Sequence, residues 1–395
     1  MRRSLVRFVL AGLTAFCCFP VVAAAQIVVT LGNNPIHIDD GLTLDPEGNL
    51  YGSSFVSGTT GRLRTVTPAG VDEVFTDEIV DPLGHDFDSE GNLYVASFYA
   101  NRIYRLFPDG SSELLTDQIF RPAGVAMGPD GHLYVAAYGS SGAPGDKIYR
   151  VSLTGLVEVF ATSSFFDGPV GIEFDEVGNL YVGSYNRGYI TRVSPAGIVE
   201  HLATVPGPNG FNTGYVCYAN NAIYATGIGT HKVYRLPLDT LVLETFAGTG
   251  IAGHVDGEAG EARFGQPNGL VASATGDTIY VSEYGNKTVR MIISGDTSDA
   301  PVTDLSHRGG LRLRQSTPNP SNGAARIVFS LEEPTSVLLQ VFDVQGRGIK
   351  TLLDAVRPAG THDVDLDTSG LANGVYSYRL TTSRGMISRQ LTVLH

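Results

Sequence analysis

Three cysteines are all the sequence holds, and two of them, Cys17 and Cys18, fall within the first 25 residues. With that segment removed only Cys217 remains, so no intramolecular disulfide can form and stability has to come from the packed core. Cys217 sits among apolar and aromatic neighbours in GYVCYAN, the setting of a buried, inert thiol rather than of a nucleophile. Positive charge is scarce as well. The chain has 27 Lys plus Arg against 40 Asp plus Glu, a formal net charge of −13, which argues against nucleic acid and anionic lipid as partners. Two further things are missing: an apolar run long enough to make a transmembrane segment, and any sustained helical periodicity.

At the N-terminus, MRRSLVRFVLAGLTAFCCFPVVAAAQ places Arg2, Arg3 and Arg7 before an apolar run and then Ala23-Ala24-Ala25. This is the layout of a secretory signal peptide over residues 1–25, with the mature chain beginning at Gln26. Its loss takes away three arginines and no acid, so −13 becomes −16. Bulky Phe16 before Cys17 counts against a lipidated cysteine.

What the sequence does have is an internal repeat. Six segments open on glycine, turn, and continue through an aliphatic-Tyr pair: GLTLDPEGNLYGS from Gly41, GHDFDSEGNLYVAS from Gly84, GVAMGPDGHLYVAA from Gly124, GIEFDEVGNLYVGS from Gly171, GYVCYANNAIYATG from Gly214 and GLVASATGDTIYVSE from Gly269. Each begins as a short apolar strand, a polar turn and a second strand, which makes a hairpin. A third strand follows, as in RIYRLFPDG from Arg102, and a fourth, as in SSELLT. Four short antiparallel strands recurring about every 40 to 55 residues describe propeller blades. The sixth unit has only three strands, and the lone apolar strand Gln26 to Leu31 supplies the fourth, closing the ring and removing a sheet edge. The expected fold is all-β: a six-bladed β-propeller over 26–294, a linker over 295–312, and a small immunoglobulin-like β-sandwich over 313–395.

The segment AGTGIAGHVDGEAGEARFGQPNGLVASATGDTIYVSEYGNKTVRMI from Ala247 resembles the loop and repeat of the NHL-repeat propellers, and the resemblance extends over about residues 26–294. Gly248-Thr-Gly250-Ile-Ala-Gly253 fits the spacing of a dinucleotide-binding turn, but no helix pattern follows it, so its glycines suit a surface loop rather than a phosphate cradle. NHL repeats often end the second strand on Asp. Here those positions read Ser54, Ser97, Ala137, Ser184, Gly227 and Glu283, so only the last unit keeps an acid.

In the tail, Pro318-Asn-Pro-Ser-Asn-Gly323, Val341-Phe-Asp-Val-Gln-Gly-Arg347 and Gly370-Leu-Ala-Asn-Gly-Val-Tyr376 resemble the C-terminal sorting domain of type IX secretion cargo and the related domain of flagellar hook-capping proteins. The resemblance implies outer-membrane secretion machinery as a partner, and export to the outside or the outer-membrane surface of a Gram-negative-type bacterium. Asp363, Asp365 and Asp367 mimic the start of a calcium loop, but position twelve is Gly374 rather than Glu. Alternation with Val364 and Leu366 places the acids on a solvated strand face.

Two functional readings follow. NHL propellers are similar to the gluconolactonase and streptogramin-lyase propellers, and that resemblance implies a lactonase-like or lyase-like hydrolase whose central funnel holds a divalent cation such as calcium. Asp40 and Asn268, just before two opening glycines, and Asp86 and Glu173, two residues after two others, are the candidate ligands. Leu83, Ala123, Val170 and Thr213 stand in the other pre-glycine positions, and Thr43, Ala126, Val216 and Val271 in the other inner ones. The other reading, which we favour, is a binding module with no cofactor. Five residues after the aliphatic member of each pair stand Phe55, Phe98, Tyr138, Tyr185, Ile228 and Tyr284. Six-fold geometry sets these side chains around one rim, where aromatic faces pack on sugars or peptide side chains. Asn186 and Asn286 lie nearby as hydrogen-bonding groups. The expected ligand is a glycan, a protein or a peptide.

Overall fold

The computed structural model describes residues 26–293, apart from 33–35, 46–47, 56–60, 68–70, 141 and 209–210, and residues 311–394, apart from 315, 332, 343–347 and 383–384. The expected signal peptide and nearly all of the expected linker lie outside the described residues. Six antiparallel sheets succeed one another as blades 1 to 6, their first strands being Leu42–Leu44, Pro82–Phe87, Pro122–Met127, Pro169–Phe174, Val216–Ala219 and Pro267–Ala272. Each first strand packs against that of the next blade, and the first strand of blade 6 returns to that of blade 1. The chain is a six-bladed β-propeller followed by a β-sandwich. A single 3-10 turn, Ile228–Thr230, is the helical content of the described residues.

The repeat is explained by three local devices. The first is the hairpin turn. In blade 2 the Asp88 carboxylate accepts from the Asn92 backbone N–H at 2.9 Å, from the Asn92 side chain at 2.8 Å and from the Tyr94 hydroxyl at 3.0 Å. Asp175 does the same with Asn179 and Tyr181 in blade 4. The glycine between them turns the chain through a left-handed residue, as at Gly91, φ 83°, and Gly178, φ 87°. Partial burial pushes the Asp88 carboxyl up, but the bonds from Asn92, Tyr94 and the Glu90 N–H outweigh it and hold it below the ordinary carboxylate range. The second device is the aliphatic residue before each Tyr. Leu50, Leu93, Leu133, Leu180, Ile223 and Ile279 are all buried, each contributing roughly 1.5–3 kcal/mol.

The third device is the opening glycine. A Cβ at Gly41, Gly84, Gly124, Gly171, Gly214 or Gly269 would come within 3.0 Å of the backbone of the following blade, at Leu83, Ala123, Val170, Tyr215, Asn268 and Asp40 respectively. The six glycines are therefore the ring of closest approach between blades. Hydroxyls stitch part of the same ring. Ser53 donates to the Leu83 carbonyl at 2.9 Å, Thr226 to that of Asn268 at 2.8 Å and Ser282 to that of Asp40 at 2.7 Å.

The ring closes through the N-terminal strand. Ile27–Thr30 pairs antiparallel with Thr288–Ile293 of blade 6, Val28 opposite Ile292, and on its other side with Gly257–Glu258. The glycine-rich loop after Ala247 carries that last strand and runs into blade 6 without a helix.

In the tail, Leu311–Leu313, Ala324–Leu331 and Gly360–Asp367 form one sheet, and Gly348–Arg357, Thr335–Phe342, Gly374–Thr382 and Gly385–Val393 the other. Alternate residues Ala325, Ile327, Phe329 and Leu331 face Val337, Leu339, Val341, Tyr378 and Leu380 in one apolar core. Asp363, Asp365 and Asp367 are exposed, flanking half-buried Val364 and buried Leu366, with Asp363 paired to Arg326 at 2.8 Å.

Candidate functional site

The start of each first strand and the end of each second strand share one face of the propeller, as the pairs Pro82 with Ser97, Pro169 with Ser184 and Pro267 with Glu283 show. In four blades the first strand is entered through a left-handed residue followed by proline: Asp81, Arg121, Gly168 and Gln266, with φ of 47°, 48°, 66° and 58°. Proline fixes the next φ, and the left-handed residue aims its carbonyl across the face. That carbonyl accepts the N–H of Phe98 at 3.0 Å, Tyr138 at 3.0 Å, Tyr185 at 2.9 Å and Tyr284 at 2.9 Å. The aromatic positions read from the sequence are thus each pinned by one backbone bond. In blade 1 the Asp39 carboxylate takes the Phe55 N–H at 2.9 Å, and in blade 5 the Asn212 carbonyl takes that of Ile228 at 2.8 Å. A Pro-x-Gly pattern at 82, 122, 169 and 267 is the sequence trace of this device, and the repeat pattern alone passed over it.

The rings meet one another. Centroids lie 6.3 Å apart for Phe55 and Phe98, 5.6 Å for Phe98 and Tyr138, 5.9 Å for Tyr138 and Tyr185, and 5.6 Å for Tyr185 and Phe211. Phe211, not Ile228, continues the arc past blade 4. The six positions differ in access: Phe98 is buried at 7% exposure, Ile228 is buried, Phe55, Tyr138 and Tyr185 are half-buried, and Tyr284 is 40% exposed. Two rings missed by the sequence reading are more open, Tyr99 at 42% and Phe120 at 57%. Tyr99 follows Phe98 and packs on it edge-to-face at 4.9 Å. Burial, then the neighbouring Tyr138 and Asp40 charges, push the Tyr185 hydroxyl up, so it stays a neutral donor. Asn186 and Asn286 are engaged with other loops, donating to Asp167 and to the Gly253 carbonyl at 2.9 Å each. Lys287 lies 4.1 Å from the Tyr284 ring centre and pairs with Asp39.

Beneath the rim, Leu83, Ala123, Val170 and Tyr215 belong to one apolar cluster with Phe98, against which Phe55, Tyr138 and Tyr185 pack. Asp40 and Asn268 stand at this level. Both are buried, and Asn268 donates to the Asp39 carbonyl at 3.0 Å. Burial and the Asp39 charge raise the Asp40 carboxyl to about 7 against the opposing effects of Tyr215, Gly41 and Asn268. Asp86 and Glu173 lie three residues further along their strands, roughly 10 Å deeper. Asp86 accepts from the Met127 N–H at 2.7 Å, the Phe87 N–H at 2.9 Å and the Thr43 hydroxyl at 3.3 Å. Burial lifts Asp86 to about 6, while burial and the Asp86 charge lift Glu173 to about 8.

One expected position shifts. Tyr224 pairs with Cys217, whereas Tyr94 pairs with Asp86 and Tyr181 with Glu173, so Cys217 rather than Val216 takes the inner position in blade 5. The cause is the turn. Asn220 and Asn221 both have positive φ, 51° and 54°, which makes a two-residue hairpin in place of the longer Asp-x-x-Gly-Asn turn. Burial pushes the Cys217 thiol well above its ordinary range, and the Glu173 charge adds to this. The structure therefore gathers the four candidate cation ligands into two pairs at different depths. Among the described residues no group of three or more His, Cys, Asp or Glu is placed to share a metal ion, and the roughly 10 Å between the two levels keeps the four candidates from converging on one cation.

Residues 317–394 match the family of the secretion system C-terminal sorting domain. That domain marks proteins that are exported and displayed at the cell surface or secreted by type IX secretion, and the chain carries it. A curated relative, Protein SUPPRESSOR OF QUENCHING 1, chloroplastic, of Arabidopsis thaliana, is 31% identical over 96 residues, which are 24% of this chain and 9% of that protein. Among solved structures, an auxiliary nutrient binding protein from Bacteroides thetaiotaomicron aligns with a TM-score of 0.56 and 16% identity, covering 68% of this chain and 76% of that one. A gluconolactonase from Xanthomonas campestris aligns with a TM-score of 0.52 and 17% identity, covering 69% and 90%. At these identities the alignments show the propeller fold.

Proposed function

We propose that the protein is a non-enzymatic binding propeller, carried across the inner membrane by residues 1–25 and out of the cell by its sorting domain, which captures a glycan on the aromatic face. The observation that carries this reading is the continuous arc of rings from Phe55 to Phe211 on one face, flanked by the open rings of Tyr99, Phe120 and Tyr284. Ring faces pack on the C–H faces of sugars, and a preformed arc costs little ordering on binding. The resemblance in fold to nutrient-binding propellers supports it.

The test is titration of a glycan and peptide panel against the wild type and a Tyr99→Ala, Phe120→Ala, Tyr284→Ala variant. These three rings are exposed, so the variant should melt within a few degrees of the wild type while losing about tenfold or more in affinity. A ligand bound equally by both proteins defeats the reading. For export, a chain ending at residue 294 should fold as a propeller and remain in the periplasm of a host with type IX secretion. Normal surface delivery of that truncation would show that the tail is not what directs it outward.

A further inference from the structure

Arg121 was not among the residues the sequence pointed to. It occupies the left-handed position at the entry to blade 3, and its guanidinium lies 5.6 Å from the ring centre of Phe98, 5.2 Å from Tyr99 and 5.4 Å from Phe120. Several arginines elsewhere on the propeller meet acids, as in Arg105 with Glu113, Arg187 with Asp167 and Arg235 with Glu244. Among the described residues Arg121 takes part in no ion pair, although the protein is strongly acidic. A half-buried guanidinium is thus stacked on rings with no internal anion to match it. Stacking leaves the N–H edge of the fork free, and that edge fits a carboxylate through two parallel hydrogen bonds.

We propose that the rim between blades 2 and 3 is a subsite for a uronic-acid residue of a glycan: the sugar ring packs on Tyr99 and Phe120, and its carboxylate pairs with Arg121. This rests on the reading of the rim as a carbohydrate site. A glycan suits the place better than an acidic peptide because the rim's backbone N–H groups are already engaged. Those of Phe98, Tyr138 and Tyr185 bond to Asp81, Arg121 and Gly168, which leaves no strand edge for a peptide to extend. What the face offers is ring surface and one cation.

The experiment is calorimetric titration of the full-length exported protein with an oligogalacturonate, the same oligomer methyl-esterified at its carboxylates, a neutral oligosaccharide panel, a sulfated oligosaccharide and an oligoglutamate. The free acid should bind about 10- to 100-fold more tightly than its ester. Arg121→Gln should abolish that preference while leaving the ester within about threefold. Glutamine occupies the equivalent left-handed position in blade 6 at Gln266, so this variant preserves the local backbone, which an unchanged melting curve will verify. Tyr99→Ala should weaken acid and ester alike. Equal affinity for acid and ester, or equal loss of both in Arg121→Gln, overturns the subsite while leaving the rim a carbohydrate site. Stronger Arg121-dependent binding of the sulfated sugar or of oligoglutamate overturns the uronate assignment. If no carbohydrate binds the wild type, the reading of the rim falls as well.

Discussion

Glu173→Gln is expected to raise the melting temperature of the propeller at pH 8 by roughly 4–8 °C, the scale of about 2 kcal/mol in a domain of this size, and to raise it by much less at pH 5. The folded carboxyl titrates near 8 because burial and the Asp86 charge disfavour its ionised form. The unfolded one titrates in the ordinary carboxylate range. At low pH both states hold the proton and there is no penalty. As pH rises past the unfolded value, the unfolded chain releases the proton while the folded one retains it, so stability falls until the folded pKa is passed. Glutamine keeps the size and removes the charge. Asp86→Asn should gain less, since the Asp86 carboxylate accepts three hydrogen bonds, two of them from backbone N–H groups, that an amide cannot accept equally well. Melting curves of both variants across pH 5 to 8 check this. If Glu173→Gln lowered stability at pH 8, the carboxylate would have to be held charged by a partner, and a cation in the funnel would return as the better reading.

The two carboxylates also show where the sequence was readable and where it was not. The opening glycine, the hairpin turn and the buried aliphatic position recur together within a dozen residues, so their repetition exposed the blades directly. Asp86 and Glu173 could be placed on the inner strand by counting from the opening glycine. Cys217 could not, because the Asn220-Asn221 turn removes the register on which that count depends. The rim was half legible: counting found the positions of Phe55, Phe98, Tyr138, Tyr185 and Tyr284, but not which rings stay open, since exposure depends on the neighbouring blade. Tyr99, Phe120 and Phe211 lie in loops with no common offset. Arg121 could not be found by counting, because its approach to Phe98, Tyr99 and Phe120 is a property of the folded rim.

The same dependence on distant partners governs the last blade, where Glu283 is the one acid kept at the end of a second strand. Arg290→Met should cost about 3–5 kcal/mol and lower the melting temperature by roughly 6–20 °C. The side chains of Arg290 and Glu283 are both 0% exposed and lie 3.5 Å apart. Arg290 also donates to the Val255 carbonyl at 2.8 Å, to the Arg263 carbonyl at 2.9 Å and to the Asp256 carboxylate at 2.6 Å. Asp256 in turn accepts the Thr30 N–H and hydroxyl at 3.0 Å each. One buried guanidinium therefore joins blade 6, the glycine-rich loop and the N-terminal strand that closes the ring. Removing it strands the Glu283 charge, still held by the Gly265 N–H at 2.6 Å and the Thr288 hydroxyl at 2.8 Å, and releases the loop from the strand. Adding Glu283→Gln should recover about 1–2 kcal/mol by neutralising that charge. Arg326→Met, which breaks the exposed pair with Asp363, should shift stability by under about 1 kcal/mol. Denaturant unfolding of the three variants, with limited proteolysis to detect early release of the N-terminal strand, makes the comparison. An Arg290→Met protein as stable and as protease-resistant as the wild type would mean that strand pairing alone holds the ring closed.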